Sequence, residues 1–309
     1  MADRESVPAM SELEARRGSA AATVAPVVSQ TGDRMRERLP PIVIAAMAWL
    51  IWMVIVAILA DVLRPYDFKS MDLRGRLSPP LFFGGNMQHL LGSDELGRDV
   101  LSRLIESIRV SLAIAFLSTL FAATIGVTLG FLAAHLRGAV EQIILAIIDL
   151  QASMPFLIIA LAVLAFFGNT LTLFVLLMGF HGWERIARIA RGLSIAANEQ
   201  GYASAVRNLG ASPWRICMRH VLPNIAATLI VAMTLSFPEV ILLDSGLSFL
   251  GLGVQPPLTS LGNMVGYGRE YLQTAPWILL APALVIVLTT LSISVLGDWL
   301  RDRLDPTLR

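Results

Sequence analysis

Charge is scarce in this sequence. Charged residues make up 15% of the 309 and hydrophobic ones 55%, whereas a soluble domain is usually about a quarter charged. Too little polar surface is present to cover a soluble globule, and the mean hydropathy of +0.68 points the same way. Lysine is nearly absent, Lys69 being the only one, and the net charge of +1 excludes the overall basic bias of a nucleic-acid binder. The single cysteine, Cys217, excludes an internal disulfide and a zinc cage. The four histidines, His89, His135, His181 and His220, lack metal-ligand spacing. No phosphate loop of the Walker type occurs, so the chain is expected neither to bind a cofactor nor to hydrolyse ATP. The start of the chain is not the short basic start of a cleavable signal peptide, because Asp3, Glu5, Glu12 and Glu14 precede any long apolar run. Residues 1–38 read as a flexible polar tail.

What the sequence has in abundance is long apolar runs. Six stretches, about 40–63, 108–134, 142–167, 170–190, 224–250 and 277–299, approach the roughly 20 apolar residues that a helix needs to cross a bilayer. They predict an all-α membrane protein with a transmembrane domain over 39–305 and a short tail at 306–309. The fourth run is the least clean, because Glu184 and Arg185 fall in its last third, and its apolar part is expected to end near Trp183. Arg34, Arg36 and Arg38 precede the first run, and Arg301, Arg303 and Arg309 follow the last. The positive-inside rule therefore places both termini in the cytoplasm. Alternation then puts 64–107, the Gly168-Asn169 turn and 251–276 outside.

Segment 190–223 is too polar to span, yet it is patterned. Ala203, Val206 and Leu209 recur every three residues, and Trp214, Cys217, Met218 and Val221 every three or four. This predicts two short amphipathic helices. Gly210 breaks them apart, Ser212 caps the second, and Pro213 suits its first position.

Three blocks carry a family resemblance. Tyr202 to Ser212, running on to Arg219-His220-Val221-Leu222-Pro223-Asn224, resembles the cytoplasmic Glu-Ala-Ala loop of bacterial ABC importer permeases. Leu91 to Arg103 (LGSDELGRDVLSR) and Leu247 to Pro257 (LSFLGLGVQPP) resemble the second permease subunit of dipeptide and oligopeptide importers. Ser204 stands where the motif has its Glu and Val206 where it has its second Ala, while Ala205, Gly210, Leu222 and Pro223 match. The resemblance implies a type I importer fold with six spans and a cytoplasmic coupling helix, in the bacterial inner membrane. It implies as partners a homologous permease, ATPase subunits that bind the ATP and Mg, and an extracytoplasmic binding protein. It implies ATPase coupling through 191–223, with Ala203, Ser204, Ala205, Arg207, Gly210, Ala211 and Ser212 at the contact. Relatives of this branch carry peptides, glutathione or nickel, and this sequence does not choose among them.

Acids inside a span cost about 2.5–3.5 kcal/mol at the helix centre, so they face protein or water. Asp149, Glu239 and Asp244 are such acids. They are candidates for the translocation path or gate, or for buried hydrogen bonds between helices. Gly126 and Gly130 have the spacing of close helix packing. Asp94 with Arg98, and Asp99 with Arg103, stand four residues apart and are expected to order the outside loop. The competing reading of the whole chain, a channel or transporter driven by an ion gradient, would favour broken helices in repeated halves.

Overall fold

The computed structural model describes residues 39–85, 87–199, 210 and 212–304. Its first apolar run forms α1 (Pro41–Ile58), followed by the single turn α2 (Ala60–Leu63). The loop after it leads to α3 (Val100–Leu136), which begins two turns before the expected span. The early start has a capping cause: the Asp99 side chain accepts from the Ser102 backbone N–H at 2.7 Å. The charges that made 100–107 read as loop are paired instead, Arg103 with Asp94 and Glu106 with Arg64.

The third run is bent. Its parts, α4 (Ala139–Ser153) and α5 (Phe156–Phe167), meet at 86° across Met154 and Pro155. Pro155 forces the residue before it out of the helical region, and Met154 is accordingly extended with ψ 130°. The fourth run is divided too. Its apolar part, α6 (Leu171–Phe180), stops at an extended His181, and after Gly182 the amphipathic α7 (Trp183–Glu199) continues nine residues past the expected end at 190. Gly182 has φ +93°, a conformation closed to most residues, and this fixes the break at that point.

The fifth span does not start fresh at 224. The short helix α8 (Pro213–Ile216) runs through a π turn at Cys217–Val221 directly into α9 (Leu222–Phe249). Pro223 has no N–H to give the carbonyl four residues back, and Leu222 N–H bonds to Cys217 O, five back, in the adjacent wider turn. Outside the fifth span lies α10 (Leu261–Gly268), and α11 (Trp277–Leu304) completes the described helices. Among the described residues four helices are long and apolar enough to cross a membrane, or five if the bent pair is one span. The remaining expected span, 170–190, is shared between α6 and α7.

α3 is the central helix. It packs against α1, α6, α7 and α9. Its tightest contact is with α7: a Cβ added at Gly126 would meet Trp183 O at 2.6 Å, and one at Gly130 would meet Ala187 O at 2.5 Å. The expected small-residue packing face is therefore the α3–α7 seam. Between the α5 and α6 ends, the Asn169 side chain donates to Leu252 O and Gly253 O at 2.7 and 2.6 Å, tying this turn to the loop after α9.

Candidate functional site

The loop between α2 and α3 is an ordered cap. Asp94, fully buried, accepts from the backbone N–H groups of Leu96 and Arg98, from Arg98 Nε at 2.7 Å and from Arg103. The expected Asp94–Arg98 pair is therefore present, within a turn and not on a helix face. The expected Asp99–Arg103 pair is not formed. Capping α3 takes the Asp99 carboxylate, which also meets His89 Nδ1 at 3.0 Å, and Arg103 turns to Asp94.

Asp244 is 2% exposed and forms a second polar knot. Ser248 and Ser260 donate to its Oδ1 at 3.3 Å, and Ser111 donates to its Oδ2 at 3.4 Å. Ser111 Oγ in turn accepts from the Leu261 N–H at 2.9 Å, and Ser260 Oγ from the Asn263 N–H at 3.1 Å. One carboxylate thus joins α3, α9 and the N-terminus of α10, so Asp244 faces protein in this conformation.

Glu239 and Asp149 behave differently. The bend after α4 and the break before α7 lie against each other. Phe156 and His181 rings approach to 4.3 Å between centroids, and Gln151 donates to Phe180 O at 3.3 Å. Around this junction stand charges that are not buried. Glu239, 38% exposed, pairs with Arg185, 47% exposed, and meets His181 Nε2 at 3.3 Å. Asp149 and Arg188 pair at 3.0 Å and are 71% and 48% exposed. Arg191 closes the series with Glu141. Three arginines three residues apart on α7 therefore each hold an acid from another helix, one on α9 and two on α4.

Beside Arg185 lies a groove of about 480 Å³ between α7, α9 and α11, with Ile189, Thr228, Val231, Leu235 and Arg301 among its walls. Of the expected coupling residues, Gly210 and Ser212 are described. Gly210 is exposed in a turn with φ +80°, and Ser212 Oγ accepts from the Arg215 N–H at 3.4 Å, capping α8 as its sequence position predicts. Ala203, Ser204, Ala205, Arg207 and Ala211 lie outside the described residues. His181, Arg185 and Arg188 were not among the candidates, and the only sequence signal for them is polar residues around a glycine in an otherwise apolar run.

Among the described residues the chain is a helical bundle without strands, and its four or five apolar spans make it a membrane-embedded protein. The chain belongs to the binding-protein-dependent transport system inner membrane component family, whose pattern matches residues 126–309. It is 35% identical over 268 residues to the glutathione transport system permease protein GsiD of Pectobacterium atrosepticum, covering 87% of this chain and 88% of that protein. It is 37% identical over 267 residues to the di/tripeptide transport system permease protein DppC of Pseudomonas aeruginosa, covering 86% and 88%. Its fold resembles a chain of the inward-facing MetNI methionine ABC transporter, with TM-score 0.55 and 20% identity over 66% of this chain and 97% of that one. The protein is thus an ABC importer permease, a multi-pass membrane protein with the type I fold, and the gradient-driven alternative is set aside.

Proposed function

We propose that this chain pairs with a second, homologous permease to form the pathway of an importer for di- or oligopeptides, delivered by an extracytoplasmic binding protein. ATPase subunits, which hold the ATP and Mg, dock on the cytoplasmic segment 191–223, and both termini of the chain lie in the cytoplasm. The observation that carries the pathway assignment is the set of half-exposed charges at the two helix breaks. Facing lipid, Glu239, Arg185, Asp149 and Arg188 would each cost several kcal/mol, so this side faces water or a partner. In this reading Glu239 and Asp149 line the path, and Asp244 holds the outer gate shut through its three serines. Peptides are favoured because relatives that match most of this chain are named for dipeptides, tripeptides and glutathione, itself a peptide.

The test is reconstitution of the chain with its partner permease, ATPase subunits and binding protein in vesicles. Uptake of labelled dipeptide is expected only with all components and ATP, and the isolated chain should show no ATP turnover. Uptake without the ATPase subunits would overturn the proposal.

A further inference from the structure

The groove beside Arg185 has a definite chemical pattern. On α9, Thr228, Val231, Ala232 and Leu235 line it, and Glu239 continues the same stripe one turn further on. On α7, Arg185 and Ile189 lie four apart and face it, and the last turn of α11 adds Arg301. The groove thus has an apolar floor, an acid beyond one end of its α9 stripe, and two guanidinium groups. Glu239 stands ten residues from Phe249 on α9, about 15 Å along the helix axis, well within the depth of a bilayer.

A permanent structural ion pair at such depth would be expected to be enclosed, as Asp94 and Arg103 are in the cap. The Glu239–Arg185 pair is instead half open on both sides. Opposite charges in contact, each with a free face, can exchange with a ligand carrying both charges without leaving either group unpaired. A phosphate headgroup fits less well, because Glu239 would repel it.

We propose that this groove is a binding site for zwitterionic peptides on their way through the permease: Glu239, steadied by His181, takes the free ammonium end, and Arg185 with Arg301 takes the free carboxylate. The apolar floor receives side chains through contacts that do not depend on their identity. This site rests on the peptide-importer reading and extends it to the chemistry recognised inside the membrane.

The test measures binding to the purified permease–ATPase complex without the binding protein, by saturation-transfer NMR. The probes are alanyl-alanine, N-acetyl-alanyl-alanine and alanyl-alanine amide. Alanyl-alanine should bind most tightly. Glu239→Gln should weaken alanyl-alanine and the amide about tenfold but leave the N-acetyl compound unchanged, the size of one lost charged hydrogen bond. Arg185→Gln should weaken alanyl-alanine and the N-acetyl compound, and spare the amide. Arg185→Lys, which keeps the charge, should retain most of the affinity, and assembly of every variant is checked by co-purification of the partner permease.

Equal loss for all three probes, or loss of the partner permease from the complex, would make the pair a structural or subunit contact and overturn the site. So would full competition by phosphatidylglycerol micelles with no dependence on the blocked ends. If the parental complex imports dipeptide with its binding protein but gives no direct binding signal, the site fails and the importer reading stands. If it imports no peptide at all, that reading fails first.

Discussion

Asp94 receives four donors, two of them guanidinium groups, at a position with no access to water. Removing one partner of a buried ion pair is strongly destabilising, by about 3–5 kcal/mol, because the other charge stays buried and unpaired. Asp94→Ala strands Arg103, leaves Arg98 with Glu95 alone and frees two backbone N–H groups of the turn. Its expected effect is a loss of that order concentrated in the outer cap, read as a lower thermal midpoint of the purified complex and faster proteolysis in 64–99. Asp149→Ala, whose pair with Arg188 is mostly exposed, should cost under about 1 kcal/mol by the same measure. An equal loss in the two variants would show that burial does not set the difference. At this scale the acids were legible, since a carboxylate in an apolar run is conspicuous. Their partners were not, because Arg185 and Glu239 are separated by 54 residues, and only the packing of α7 on α9 brings them together.

Among the elements, the turn at Gly210 is the point where sequence pattern and structure meet most directly. Its φ of +80° lies in the left-handed region, and among the described residues no atom beyond its chain neighbours stands within 4 Å of where a Cβ would be, so backbone strain opposes a side chain there. Gly210→Val should therefore leave the spans inserted while lowering dipeptide uptake and uptake-linked ATP turnover together in reconstituted vesicles. Parental rates with normal assembly would remove this turn from coupling. Helix positions were legible from the apolar runs, and the bend at Pro155 and the cap at Ser212 follow from local chemistry. The break at His181 and Gly182 was legible in part: Glu184 and Arg185 mark the end of the apolar part near Trp183, while nothing in the pattern shows that the helix itself stops at Phe180. The continuity of α8 with α9 was not legible, since Pro223 looks like a boundary and is absorbed beside a π turn. The early start of α3 was hidden by charges that the cap neutralises.

For the whole molecule the open quantity is how often the chain crosses the bilayer, and it turns on one stretch. α6 has ten residues, about 15 Å of helix, roughly half of the hydrocarbon thickness, so it cannot cross alone. A crossing between Phe167 and Ser212 must use α6 together with the first turns of α7, with the break at His181 and Gly182 inside the membrane. Packing supports that path: Ser118, midway along α3, donates to Val175 O at 3.0 Å, and further along α3 the Gly126 and Gly130 face carries α7 in the same direction. The proposed cytoplasmic position of both termini requires an even number of crossings, and this extra one supplies it. In a Cys217→Ser background, single cysteines at Phe167 and Ser212 report on the two ends of the stretch. An impermeant maleimide applied to intact spheroplasts should label position 167 and reach position 212 only after permeabilisation. Labelling of both positions from one side would mean that α6 and α7 turn back within the membrane. The span count would then be five, and the two termini would lie on opposite faces.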